Sequence, residues 1–364
     1  MTVKKTPMMD YIERTPEVAE RYIDMPLDEA SRRVVEAVAV SRSAVITGCG
    51  TSYHLALAMA RYLRDLAGVD AQAVPSHDLA WYSPSVARGK VLIAISHSGA
   101  TKATLEAVTQ TRGGASLVVS VSAHHETKLA KAADISLALP GGWEEALPKT
   151  LSYVGGCLQA LRLAWEVRSD RSSGPSPVAD GGKLRRILRA ALDDNRETVK
   201  RAAKAWSSLE IFHFTGGGPG WIAALEAALK MRENNYTCSE GYEVEEMAHG
   251  RIPSLGPGRA LIAIVLTGPS ARRAEDIARS AAHVGSPTMV IAEDGVRWPV
   301  QCDFELGIPA CGSEYLAAIA AIMPLQLFSN LLAVAKGYDP DTIRHDDPKY
   351  AYAQSTWIFP PGTH

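Results

Sequence analysis

Three landmarks recur along this chain in the same order and at nearly one spacing. Thr47-Gly48-Cys49-Gly50 is answered by Thr215-Gly216-Gly217-Gly218, 168 residues later. Leu92-Ile93-Ala94-Ile95 is answered by Leu261-Ile262-Ala263-Ile264, and Asp134-Ile135-Ser136-Leu137 by Asp303-Phe304-Glu305-Leu306, each at an offset of 169. Such a pattern points to one topology built twice, and 364 residues are enough for two cores. In the first copy, short apolar runs at Ala44–Ile46, Ala71–Val74, Lys90–Ile95, Leu117–Val121 and Ile135–Leu139 alternate with helical stretches such as Tyr53–Leu66 and Lys102–Thr109. Short apolar strands separated by helices predict a parallel sheet covered on both faces. The expected class is α/β, in two tandem domains. The expected boundaries are a helical arm over 1–41, a first domain over 42–168 closed by a helix from Leu147 to Val167, a linker and helix over 169–207, a second domain over 208–337, and a tail over 338–364. The Gly-, Ser- and Pro-rich stretch 169–183 reads as the linker, and Leu184–Ala205 as one helix.

Charge and cysteine usage remove several function classes. A formal net charge of −2 supplies no basic field for nucleic acid or an anionic membrane. Five scattered cysteines without a CxxC pair fit a reducing cytoplasm and argue against a disulfide framework or structural zinc. His54, His77, His124, His125, His213 and His283 do not form metal-ligand spacing, so no metal is expected. No apolar segment follows Met1-Thr2-Val3-Lys4-Lys5, and no run approaches 18 apolar residues. A cytoplasmic protein outside the membrane is expected.

The first copy carries an anion-site pattern. The run from Ile93 ends in Ser96-His97-Ser98-Gly99-Ala100-Thr101 just before a helix. Unpaired first-turn N–H groups, the helix dipole and added hydroxyls suit phosphate. A second loop, Gly50-Thr51-Ser52, also ends a strand, and open parallel sheets bind ligands at those ends. The expected cradle is Ser52, Ser96, His97, Ser98 and Thr101, with Gly50 and Gly99 giving backbone freedom. Helix capping alone is the alternative use of such hydroxyls. The second copy has Val265, Leu266 and Thr267 where the first has Ser96, His97 and Ser98, and Pro219-Gly220 for Thr51-Ser52. The first copy is therefore expected to bind the anion.

A helix over Ala223–Asn234 carries Glu226, Lys230 and Glu233, and Glu240, Glu243, Glu245, Glu246 and His249 follow it. Two readings fit these charges: a solvated acidic face, or a proton-transfer set in which a carboxylate works at carbon and His249 at a sugar oxygen. Lys149 is the third candidate, although a lone lysine before a helix often lies on the surface. No Walker A loop, G-x-S-x-G or HExxH is present, and Gly216-Gly217-Gly218-Pro219-Gly220 does not fit a dinucleotide fingerprint. Phosphosugar fits better than a nicotinamide cofactor, and no cofactor is expected.

Gly48-Cys49-Gly50-Thr51-Ser52-Tyr53-His54, Ile95-Ser96-His97-Ser98-Gly99-Ala100-Thr101 and Ala227-Ala228-Leu229-Lys230-Met231-Arg232-Glu233 resemble the double-SIS-domain family of phosphosugar isomerases and deaminases. That family includes the isomerase half of glucosamine-fructose-6-phosphate aminotransferase, aminosugar-phosphate deaminases and fructosamine-6-phosphate deglycases. The resemblance implies two tandem SIS domains, each a flavodoxin-like parallel sheet with helices on both faces. It implies that Ser52, Ser96, Ser98 and Thr101 hold the sugar phosphate, with His97 in place of the usual Gln and with Gly50 and Thr51 in the same loops. The family's proton-shuttling Glu falls on Glu233. Its ring-opening His falls on His249, in Glu246-Met247-Ala248-His249-Gly250. That His often serves the neighbouring subunit, which implies a homodimer with a shared active site. Of a Ser-Thr-Lys stretch only Lys149 is kept.

Two departures stand out. Met1-Thr2 lacks the cysteine of a glutaminase domain, so glutamine is not expected as ammonia donor within this chain. In the tail, expected to close over the site, Pro348 falls where the aminotransferase has its Schiff-base lysine. Lys349 is one position away, and His345 is a replacement group in the same loop. The implied activity is aldose–ketose isomerisation coupled to deamination or deglycation of an aminosugar or fructosamine 6-phosphate. The alternatives are an ammonia-dependent aminotransferase, a simple phosphosugar isomerase, or a non-catalytic phosphosugar-binding regulator.

Overall fold

A computed structural model describes residues 6–168, 176–296 and 301–360. Residues 169–175 of the expected linker, 1–5 of the expected arm and 361–364 of the expected tail lie outside the described residues. The chain forms two compact units. One holds Glu17–Glu144, Leu151–Gly181 and His345–His364, and the other Met1–Pro16, Glu145–Thr150 and Gly182–Arg344.

Two helices, α1 (Pro7–Asp24) and α2 (Glu29–Ser41), precede the first sheet. The elements that follow are β1 (Ser43–Gly48), α3 (Thr51–Ala67), β2 (Asp70–Pro75), α4 (Ser76–Trp81), β3 (Val91–Ile95), α5 (Lys102–Thr111), β4 (Leu117–Ser122), α6 (Lys128–Lys131), β5 (Ile135–Ala138) and α7 (Leu151–Val167). The strands are all parallel, in the order β2-β1-β3-β4-β5. One face is closed by α4 and α5, whose Leu79, Ala80, Ala107 and Val108 pack on Val45, Val74, Leu92 and Ala94. On the other, α3 packs against α7, and α2 against α7.

The second unit repeats the plan. Its elements are α8 (Gly181–Asp193), α9 (Arg196–Ala205), β6 (Ile211–Gly216), α10 (Pro219–Asn235), β7 (Cys238–Glu243), α11 (Val244–Glu246), β8 (Arg259–Val265), α12 (Ala271–His283), β9 (Thr288–Glu293), β10 (Phe304–Ile308) and α13 (Glu314–Lys336). The strand order is β7-β6-β8-β9-β10, again all parallel. Both sheets thus have the flavodoxin-like order, and the duplication read from the sequence is a duplication of topology. It extends to single torsion angles. Gly50 ends the β1 turn at φ 55°, ψ −128°, and Gly218 ends the β6 turn at φ 54°, ψ −127°, a region closed to residues with a Cβ. These turns let α3 begin at Thr51 and α10 at Pro219, ahead of the expected starts, so Thr51 and Ser52 lie in a first helical turn. A last short helix, α14 (Pro348–Ala353), lies in the tail.

Three details differ from the sequence reading. The expected helix from Leu147 begins at Leu151, where the buried Glu144 carboxylate accepts the Leu151 and Ser152 N–H groups at 3.3 and 2.8 Å. An anion at a helix N-terminus fixes the start. The expected single helix Leu184–Ala205 is two helices, and the first begins inside the expected linker. The break is held by Asn195, whose amide donates to Ala191 O and Gly307 O and accepts the Gly307 N–H. Finally, α13 is long and apolar enough to cross a membrane, with a window hydropathy of 1.8, but that window is 89% buried in the protein. Its polar residues have partners there: Gln326 donates to Thr150 O, Ser329 to Asn234, and Asn330 to Thr6. It is a core helix.

Candidate functional site

In the first sheet the strand order reverses between β1 and β3, the place where open α/β sheets bind ligands. Both expected phosphate loops leave the carboxyl ends of those two strands. The structure therefore brings Gly50, Thr51 and Ser52 to the same sheet end as Ser96, His97, Ser98 and Thr101. Ser96 is buried, and its hydroxyl meets Thr101 Oγ1 at 2.9 Å and accepts the Gly99 N–H at 3.1 Å. Ser98 Oγ accepts the Ala100 N–H at 3.2 Å. Gly99 sits at φ 60°, and a Cβ there would lie 2.2 Å from Thr127. Among the described residues, no acceptor meets the backbone N–H groups of Ser98, Lys102 and Ala103, and the Ser52 hydroxyl has no partner. Open donors at a helix start, ringed by half-buried hydroxyls, are an arrangement that suits an anion.

Sequence reasoning missed what supports this loop. A buried chain of hydroxyls runs from Thr47 through Ser76 to Thr104, with each contact at 3.1 Å, and Thr47 Oγ1 donates to Val74 O. His97 is buried, and its Nε2 accepts the Glu144 N–H at 3.2 Å while its ring stacks on Trp143 at 5.0 Å. That nitrogen therefore offers a lone pair to the 143–144 segment, and His97 braces the loop against the residue that caps α7. No local signal in the sequence marks Glu144 as that cap.

The second unit carries the expected proton-transfer groups. Lys230 is completely buried in the middle of α10, 3.3 Å from the equally buried Glu226 and in direct contact with Glu233, which is 25% exposed. Burial alone would lower the Lys230 pKa. The carboxylates of Glu226 and Glu233 outweigh it and hold that pKa above the usual lysine value. The set is an ammonium between two carboxylates, and only Glu233 is open to solvent. The acidic-face reading fails for Glu226 and Lys230, since solvated charges would not be buried.

His249 is placed differently. It lies on the 247–251 turn with its side chain 78% exposed, and Nε2 is 3.4 Å from Glu245 Oε2. Arg273 of α12 grips the Glu245 carboxylate at 2.7 and 2.9 Å, and this bond holds Glu245 below the usual carboxylate range. Lys149 Nζ donates to Ala146 O at 2.7 Å in the loop before α7. In the tail, His345 is exposed with Nε2 against Gln354 Oε1, and Lys349 is exposed in the first turn of α14. Among the described residues there is no cluster of three or more His, Cys, Asp or Glu side chains suited to a metal.

Comparison with known proteins agrees with this fold. The SIS domain family matches residues 38–156, which span the whole first sheet. The isomerizing glutamine–fructose-6-phosphate aminotransferase of Aeropyrum pernix is 31% identical over 354 residues, covering 93% of this chain and 56% of that protein. The chain spans about half the length of the curated relatives it matches. Among solved structures, the C-terminal domain of glucosamine-fructose-6-phosphate aminotransferase from Francisella tularensis superposes with a TM-score of 0.85 at 21% identity, over 93% of this chain and 99% of that one. Glucosamine-6-phosphate deaminase from Thermotoga maritima superposes with a TM-score of 0.72 at 19% identity, over 92% and 97%.

Proposed function

We propose that this chain, a member of the SIS-domain family, is a phosphosugar-processing enzyme. The observation that carries the reading is the first copy's pair of hydroxyl-lined loops with open N–H donors. Ser52, Ser96, Ser98 and Thr101 hold the sugar 6-phosphate there, and Gly50 and Thr51 shape the turn. Glu233 carries a proton between C1 and C2 through an enediol or enolamine. One group must accept the proton as a carboxylate and return it as the carboxylic acid, and Lys230 beside it orients that group. His249 moves a proton between the ring oxygen and the hydroxyl as the ring opens. Its exposure suits a homodimer in which it serves the partner's site. The net reaction is aldose–ketose isomerisation coupled to loss of ammonia or an amino acid from an aminosugar or fructosamine 6-phosphate, with water entering, in the cytoplasm.

The test is a panel of fructosamine 6-phosphates, glucosamine 6-phosphate and fructose 6-phosphate, scored for ammonia, free amino acid and sugar phosphate. Amino acid release identifies a deglycase, ammonia a deaminase, and interconversion without release an isomerase. Glu233→Gln should lower kcat by about 10²- to 10⁴-fold with KM nearly unchanged. Normal turnover by that variant sinks the assignment of Glu233. Turnover of none of these sugars, with phosphosugar still bound, would replace the enzyme with a phosphosugar-binding regulator.

A further inference from the structure

The face of the second sheet that carries His213 differs in kind from its counterpart. In the first copy, α4 closes this face over Val45 and Val74, an apolar surface. At the corresponding places, 168 residues on, the second copy has His213 and Tyr242. Glu240 pairs in register with His213 on the neighbouring strand, so the two share the face. The segment that covers it runs from Val244 to Ser254 and carries His249.

This segment is pinned at three points. Val244 and Met247 are buried in the apolar cluster with Leu261 and Val265. Glu245 is tied to Arg273 of α12. At the far end, the Arg251 guanidinium lies over the Tyr242 ring at 4.9 Å and 4.0 Å from Glu240 Oε2, and the Tyr242 hydroxyl donates to Glu240. Between the last two pins, the backbone over Met247–Arg251 makes a widened π-helical turn. Such turns are frequent at functional sites. It contains Gly250, which no neighbouring atom crowds. His249 is thus an exposed imidazole on a turn that little holds except its two ends. Without the Arg251 pin, Val244, Met247 and the Glu245–Arg273 pair would still hold the segment's start, and the side of the turn that follows His249 would lose its tie to Tyr242 and Glu240.

We propose that Arg251 and Tyr242, backed by Glu240 and His213, are positioning residues that fix His249 for proton transfer at the sugar ring oxygen. This rests on the ring-opening role given to His249 above. Orientation of a catalytic group is worth large factors in rate, and small misplacement is costly. Arg251 suits the task because a planar cation can stack on an aromatic ring while facing a carboxylate.

The test separates ring opening from the later chemistry. The 5-deoxy analogue of the turned-over ketose or ketosamine 6-phosphate lacks the hydroxyl that closes the ring and is always open-chain. Arg251→Met should slow turnover of the cyclic substrate by about tenfold, with KM little changed, and leave the 5-deoxy analogue at the unsubstituted rate. Tyr242→Leu should do the same, and His249→Ala should show the same selectivity with a larger loss. Equal losses on both substrates would overturn the proposal, since a general structural defect does not distinguish them. If the unsubstituted protein turns over neither sugar, the functional reading has failed, and amide hydrogen exchange judges the pin itself. Arg251→Met should then raise exchange at 247–254 by at least about tenfold while α12 stays protected. Unchanged exchange at 247–254 would overturn the pin as well.

Discussion

At the end of β3, the Ser98 N–H meets no acceptor among the described residues. At the end of β8, the corresponding Thr267 N–H donates to Glu293 at 3.0 Å, and the same buried carboxylate takes the Cys311 N–H at 2.8 Å. A second carboxylate, Glu314, stands against this loop so closely that a Cβ on Gly268 would lie 2.8 Å from it. The backbone of the two copies is the same where Gly50 and Gly218 turn, and the strand order is the same throughout. The filling of the sheet end differs. In the second copy, the protein's own carboxylates occupy the place that stays open in the first, where the proposed phosphate would sit. The comparison teaches that one strand-to-helix turn can be left open or be filled by the protein's own carboxylates. Glu293, at the end of the next strand, takes the N–H that the first copy leaves open.

Replacing Ser96-His97-Ser98 by the second copy's Val-Leu-Thr is the strongest way to break this contrast. The substitution removes the Ser96 hydroxyl and the His97 brace to Glu144, and keeps a hydroxyl at 98. Each hydrogen bond to a charged group is worth about 1.5–3 kcal/mol, or roughly 10- to 100-fold in affinity. The expected outcome is loss of phosphosugar affinity by about 10- to 100-fold, read by isothermal titration, with circular dichroism unchanged. Retention of full affinity would mean that phosphate binds elsewhere.

Glu293→Ala addresses the other half of the contrast. It strips the acceptor from two N–H groups in a buried place, at a cost of about 2–4 kcal/mol. A marked fall in thermal midpoint is expected, measured by calorimetry, with phosphosugar KM unchanged. A large KM change would show that the second loop also contacts ligand. Glu144→Ala, in the first unit, should be milder. It leaves the α7 start without its anion, at about 1–3 kcal/mol, and it loosens the segment that His97 braces. A lower midpoint with a modest rise in KM is the expected pair of readings.

The landmarks that made the duplication legible are those the backbone demands. Gly50 and Gly218 sit where φ is positive, so any sequence with this turn twice shows the glycines twice. The hydroxyl loop was legible for a similar reason, since its donors are local to one helix start. The filling of the second loop was not. Glu293 ends an otherwise apolar strand and reads as an ordinary polar terminus, because its partners Thr267 and Cys311 are 26 and 18 residues away. Glu144 is hidden in the same way: it caps a helix whose start it determines. The charges of α10 were visible, but their burial depends on what packs over them, and α13 supplies that cover from about a hundred residues later. Local rules recover what one turn or one helix needs, while pairings set by the folded sheet remain unread.

The smallest expected effect tests the least conspicuous difference between the copies, His213 against Val45. His213 is buried in β6 with neither ring nitrogen partnered. Burial holds its pKa below the usual histidine value; Glu240 opposes this, and Arg251 and Arg259 add to it. The folded protein therefore resists protonating this ring more than the unfolded chain does. The sign follows from linkage. Stability is full above the ordinary histidine pKa of 6.5 and declines as pH falls from there through the lower folded value. His213→Val, which installs the first copy's residue, removes that titration. Its loss of stability between about pH 8 and about pH 5 should be smaller than that of the unsubstituted protein, as read by denaturant unfolding at both values. Equal losses would mean that His213 does not separate the two folded surfaces by charge, and that the polar face under the His249 segment tolerates a proton as readily as water does.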